Sequence, residues 1–288
     1  INIFLFQNYR IPTGSMENSL LIGDHLFVSK LAYGPRMPNT PIAFPFTQNT
    51  MPLTKGKSWS DLVHWPYKRL EGLGHVKHND AIVFNFPAGD TVVLEETETS
   101  YYEIVRRTAR DMMQRESFGG RLPKPPSYYL EAARKEIRDR FTIIYRPVDR
   151  RDNYVKRCIG LPGDTIFIRV GSVFINSKPV PENATQQLNY VVATNGTTIN
   201  PKVFEKLGIY RSDQMMVSGS AYILPLTKSN AEAIRKFANV REVTPLYSRP
   251  GEYAPHIFPY SRTYGWNEDN FGPLWIPSKG STVKLDTS

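Results

Sequence analysis

The chain has 288 residues, 40% of them hydrophobic and 22% charged, the balance of an ordinary globular protein of one large or two smaller domains. Its single cysteine, Cys158, excludes an intrachain disulfide framework and a multi-cysteine metal site. The net charge of +9 would suit nucleic acid or an anionic membrane surface. The basic residues are dispersed, however, broken up by Glu131, Glu136, Asp139, Asp149 and Asp152, and no nucleic-acid motif accompanies them. The charge therefore points to a solvated or membrane-facing surface and away from a nucleic-acid partner.

In chain order, the sequence opens on the apolar run Ile1–Phe6, which reads either as the end of a membrane anchor or as an edge strand. No stretch reaches the roughly 20 apolar residues that a membrane span needs. Ile11-Pro12-Thr13-Gly14-Ser15 is a loop signal, and a strand follows over His25–Ser29. Residues 35–66, rich in Pro, Thr and Asn, form a long surface excursion. Ala81–Phe86 is an apolar strand, with Val92–Leu94 as its expected hairpin partner.

Helical composition covers Tyr101–Glu116 and Ser127–Arg140, the second capped by Ser127 and striped by Leu130, Ala133 and Ile137. Strands are expected at Phe141–Arg146, Tyr154–Ile159, Thr165–Arg169 and Ser172–Asn176. A short helix, Ala231–Ala238, follows a cap at Ser229 or Asn230, and the tail from Trp275 to Leu285 returns to strand-like composition. With 23 prolines and 19 glycines among Val, Ile, Tyr and Phe, the whole reads as mostly β with helical insertions.

Several catalytic chemistries can be weighed on these residues. Five histidines (His25, His64, His75, His78 and His256) would allow a Ser-His-Asp triad in principle, but Ser15 in Thr-Gly-Ser-Met-Glu is not a nucleophile elbow. His75-Val-Lys-His78 lacks the HExxH pattern and a third ligand, so no metal is implied. Gly160-Leu161-Pro162-Gly163-Asp164 opens no helix and is a poor phosphate cradle. A Ser–Lys pair remains. Alternation along the strand puts Tyr154, Lys156 and Cys158 on one face, where an aromatic ring and a thiol flank the lysine with apolar surface.

Burial there would lower the lysine pKa, and a neutral amine is what a serine nucleophile requires as its base. Moving a lysine from about 10.4 to about 7.5 takes roughly 4 kcal/mol of differential desolvation, within reach of a mostly apolar site. Taken alone, Ser15 reads as a turn former and Lys156 as a solvated strand residue; it is the neighbours of Lys156 that favour the pair.

At these residues the chain resembles the type I signal peptidases of bacteria. Ile11-Pro12-Thr13-Gly14-Ser15-Met16 with Leu20-Leu21-Ile22-Gly23-Asp24 is similar to the family's nucleophile block. His78-Asn79-Asp80-Ala81-Ile82-Val83-Phe84 resembles the block usually written RGDIVVF. Tyr154-Val155-Lys156-Arg157-Cys158-Ile159-Gly160-Leu161-Pro162-Gly163-Asp164 resembles the lysine block, the most specific of the three, and Val173–Val180 resembles the hairpin that follows it. The blocks cover about a fifth of the chain.

The resemblance implies a β-rich catalytic core over residues 1–170 with a long insertion at about 88–146. It further implies a second, smaller domain over 171–270 and a return toward the core over 271–288. By resemblance, Ser15 is the nucleophile, Lys156 the general base, and the Ser15 N–H and Thr13 hydroxyl hold the oxyanion. The matching substrate-pocket positions are Tyr9, Ile11, Pro12, Met16, Leu20, Leu26, Val83, Tyr154 and Val155. No cofactor is implied.

The implied activity is removal of N-terminal signal peptides from exported preproteins, at the extracytoplasmic face of the cytoplasmic membrane. The implied partners are signal peptides and the lipid surface. The chain departs from the pattern after Met16, where Asn18 and Ser19 replace the usual proline and threonine. It also lacks the family's GDNRxNS-like block, for which Trp266–Phe271 is no match, so the expectation is that the chain stops before it and is inactive as it stands. Two rival readings share the fold: another Ser-Lys self-processing peptidase, and a non-catalytic envelope binding or scaffold protein.

Overall fold

The computed structural model describes residues 4–284 apart from 17–18, 45–46, 48, 52–55, 88, 121, 123 and 183. Among the described residues, fourteen strands and four α-helices give a β-rich fold with helical insertions, as the composition led us to expect. The chain divides into two units, one of residues 1–16 and 21–158, the other of 17–20 and 159–288.

The first unit contains β1 (Phe6–Arg10), β2 (His25–Ser29), β3 (Ala81–Asn85), β4 (Thr91–Val93), α1 (Tyr101–Phe118), α2 (Pro126–Arg140), β5 (Ile143–Tyr145) and β6 (Asn153–Arg157). They pair antiparallel as three ladders: β1 with β2, β3 with β6, and β4 with β5. The expected hairpin of Ala81–Phe86 with Val92–Leu94 does not form. The edge of β3 is taken by β6, some 70 residues later, and β4 pairs instead with β5 across the helical insertion. Val93 explains the preference: it is fully buried beneath α1 and α2, where Ile104, Val105 and Ala109 meet Tyr129, Ala133 and Ile137. Each large side chain in such a cluster contributes about 1.5–3 kcal/mol by leaving water. Tyr129 rather than Leu130 leads the buried stripe of α2, its hydroxyl donating to Glu116 at 2.6 Å. The helix starts at Pro126, one residue ahead of the expected Ser127 cap, because proline at the first position loses no hydrogen bond there.

The excursion after residue 35 is anchored to the rest of the unit. Thr40, fully buried, donates through N–H and Oγ1 to Asp149, both at 2.9 Å, and its carbonyl accepts from Arg150 at 2.9 Å. Its two ends close where Gly34 and Gly72 touch. A Cβ on Gly34 would lie 2.0 Å from the Leu70 carbonyl oxygen, and φ is +85°, so only glycine fits.

The second unit contains β7 (Thr165–Arg169), β8 (Ser172–Ile175), β9 (Lys178–Pro179), β10 (Leu188–Thr194), α3 (Pro201–Lys206), β11 (Met215–Ser218), β12 (Ala221–Leu226), α4 (Lys228–Arg235), β13 (Val240–Pro245) and β14 (Phe271–Trp275). One sheet runs β14-β7-β8-β9, and another runs β11-β12-β10-β13. The core of the second sheet joins Tyr190, Val192, Tyr222, Leu224 and Leu226 to Phe204 of α3 and Ile234 of α4.

Helix α4 begins at Lys228, ahead of the expected Ala231. The Thr227 hydroxyl already accepts from Asn230 N–H at 3.2 Å, satisfying an otherwise unpaired donor. Strand β14 ends where the tail was expected to begin, before Pro277, which has no N–H for a ladder; Leu285 lies outside the described residues.

Candidate functional site

Two ladders of the first unit build the site. In β1–β2, Tyr9 stands opposite Leu26 and Gln7 opposite Val28, so these four share a face, while Phe27 on the other face is 80% exposed. The ladder runs past Arg10: Ile11 N–H donates to Asp24 O, and Gly23 N–H to Ile11 O, each at 2.9 Å. The Asp24 carboxylate closes the turn by accepting from Leu21 N–H at 2.8 Å. Ile11 is thereby buried, and the chain passes through Pro12 and Thr13 into a single 3-10 turn, Gly14–Met16. Met16 points inward and Ser15 outward, so the turn presents one hydroxyl on an apolar base.

The second ladder sets Val83 opposite Val155 and Ile82 opposite Lys156. A two-stranded ladder covers neither of its faces fully, and every residue of β6 is half-buried. The 3-10 turn packs against β6, and Lys156 Nζ donates a hydrogen bond to Ser15 Oγ. Burial holds the Lys156 ammonium below the ordinary lysine pKa of 10.5, and no other cause contributes. Tyr9 is pushed up to about 12 by its burial, partly offset by Arg36, and so stays an uncharged wall at any working pH.

Ser15 and Lys156 open onto a cleft of about 310 Å³, the size of a small-ligand site. Of the residues singled out in the sequence, Tyr9, Ile11, Pro12, Thr13, Met16, Leu26, Val83, Tyr154 and Val155 all border it. Leu20 does not, and it groups with the second unit. None of the five histidines borders it. Among the described residues, no three His, Cys, Asp or Glu side chains are placed to hold a metal ion.

The sequence reading missed Arg10, Val28, Thr97, Glu98, Asp152 and Asn153 on the lining. Val28 was within reach, two residues from Leu26 on the same strand face. Thr97 and Glu98 come from the insertion, whose local sequence carries no sign of the cleft.

Comparison with known proteins places the chain in a family. The family model described as signal peptidase, peptidase S26, matches residues 1–224, and the chain belongs to that family. Among curated proteins, the chain is similar to the signal peptidase I of Haemophilus influenzae, 50% identical over 51 residues, which is 18% of this chain and 13% of that protein. The chain thus matches only a small part of that relative's length. No solved structure matches.

Proposed function

We propose that this chain is the catalytic part of a signal peptidase, an endopeptidase that removes N-terminal signal peptides with Ser15 as nucleophile and Lys156 as general base. The observation that carries the reading is the hydrogen bond between the Lys156 amine and the Ser15 hydroxyl, on the wall of a cleft, with burial favouring the neutral amine. Neutral Lys156 takes the Ser15 proton as Oγ adds to the scissile carbonyl. The Ser15 N–H and Thr13 hydroxyl stabilise the resulting oxyanion. Collapse breaks the C–N bond, and Lys156 returns the proton to the leaving amine. Water, deprotonated by Lys156, then hydrolyses the acyl-serine ester and regenerates the hydroxyl. Incubated with a preprotein whose signal peptide ends in an Ala-x-Ala-like sequence, the complete gene product is expected to cut after the second alanine. An intact preprotein, or a cut elsewhere, contradicts the reading.

The reaction belongs at the extracytoplasmic surface of the cytoplasmic membrane. Among the described residues, no helix is long and apolar enough to span a bilayer. The outer face of β1–β2 supports a shallower contact. Phe6 and Phe27 lie exposed on it, Phe4 and Leu5 are exposed just before it, and cationic Arg10 borders them. Ile1–Ile3, part of the apolar opening, lie outside the described residues. For the chain 1–288, Phe27→Asp is expected to weaken binding to vesicles containing anionic lipid about ten-fold or more, the equivalent of one phenyl group kept in water. Vesicle co-sedimentation reads this, and unchanged binding contradicts contact through that face.

A further inference from the structure

Glu98 borders the cleft that holds Ser15 and Lys156, on the short connection between the turn Leu94–Glu96 and α1. Its main chain is fixed there, because the Tyr154 hydroxyl donates to the Glu98 carbonyl at 3.1 Å. Its carboxylate is exposed and, among the described residues, makes no hydrogen bond or ion pair. The other acid on the lining, Asp152, is already engaged. It accepts from Asn49 Nδ2 at 3.1 Å and lies 3.6 Å from Nη1 of Arg146, a buried cation. Glu98 is therefore the unmatched negative charge on this wall. Its field is felt at Tyr154, whose hydroxyl is held above its ordinary pKa by burial first and then by the charges of Asp152 and Glu98.

Tyr154 stands two residues from Lys156 along β6, about 6.6 Å at roughly 3.3 Å per residue. A substrate strand lying along β6 would bring to Glu98 a side chain two or more residues from the bond at Ser15. We infer that Glu98 is a specificity residue that selects a cationic substrate side chain, lysine or arginine, at a subsite at least two residues from the cleaved bond. The inference rests on the peptidase reading above, and it makes the insertion part of the substrate site.

The test uses the complete gene product and peptides carrying an Ala-x-Ala-like site, with lysine or glutamine placed in turn at each position two to six residues to either side of the cut, except the third before it, which keeps its alanine. The readout is the lysine-to-glutamine ratio of kcat/KM at each position. An exposed pair of this kind predicts a ratio of about 1.5 to 5 at one position. The ratio should fall toward one at about 1 M salt, where the Debye length is about 3 Å. Glu98→Gln should bring the ratio to about one and Glu98→Lys below one, while Glu71→Gln, which is off the cleft, keeps the wild-type ratio. Cleavage with no charge preference at any position, or a preference that survives in Glu98→Gln, overturns this inference alone. If the wild-type protein cleaves none of the peptides, the peptidase reading falls and takes this inference with it.

Discussion

Ser15→Ala and Lys156→Met are each expected to lower kcat/KM for preprotein cleavage by the complete gene product on the order of 10⁴–10⁶-fold. The double variant should be no worse than either single one. In the proposed mechanism the two side chains handle one proton, along the hydrogen bond from Lys156 Nζ to Ser15 Oγ, so removing either group is expected to abolish the same step. Both substitutions are mild for the fold: Ser15 is exposed, and methionine keeps the length and apolar body of a half-buried lysine. Replacing His25, His64, His75, His78 or His256 should cost far less, since none borders the cleft. A folded histidine variant as inactive as Lys156→Met contradicts a lysine base.

The same pair sets the pH dependence. Burial lowers the folded pKa of Lys156 below its ordinary 10.5, so with Lys156 as the base activity is expected to rise with pH as the amine loses its proton through that lowered value. Stability follows the same linkage. Between the folded pKa and 10.5 the unfolded chain holds a proton that the folded chain has released, so Lys156 makes stability increase with pH across that window. Below the folded pKa both states are protonated, and the folded state bears the cost of a partly buried ammonium. Lys156→Met removes this slope, which denaturant titrations at several pH values would reveal.

The second large effect is at Thr13. Thr13→Val keeps the shape of the side chain and deletes the hydroxyl of a residue that borders the cleft two positions before Ser15. An oxyanion donor lost in this way costs on the order of 10²–10³ in kcat, about 3–4 kcal/mol, with KM little changed because the donor acts chiefly in the transition state. Thr13→Ser restores the donor and should recover most of the rate. A change of two-fold or less in Thr13→Val would place the oxyanion elsewhere.

Where the physics is local, this chain can be read from its residues. The alternation in β2 and β6, the helical composition of α1, the apolar stripe of α2 and the loop that carries Ser15 follow from composition, period, proline and glycine within a few neighbouring positions. Two kinds of feature stayed hidden. The first is long-range pairing. The partner of β3 lies beyond the whole insertion, and β4 looked like a hairpin strand because only tertiary burial of Val93 shows what it packs against. The sheet of β10–β13 also went unread, although Tyr190 and Val192, and Tyr222, Leu224 and Leu226, recur with a period of two; Pro225 inside β12 masks that signal. The second is the part of the cleft that comes from elsewhere in the chain. Glu98 reaches it only because Tyr154 holds the connection before α1, a contact 56 residues apart in sequence.

The most direct test of the Ser15–Lys156 account traps the covalent intermediate. The complete gene product is mixed with an activated ester of a short peptide ending in alanine, quenched in acid, digested and mapped by mass spectrometry. The account predicts the acyl mass on Ser15, its absence in Ser15→Ala, and its near absence in Lys156→Met at neutral pH. An acyl group carried by any other residue of the wild-type protein, or persisting in Ser15→Ala, would contradict it.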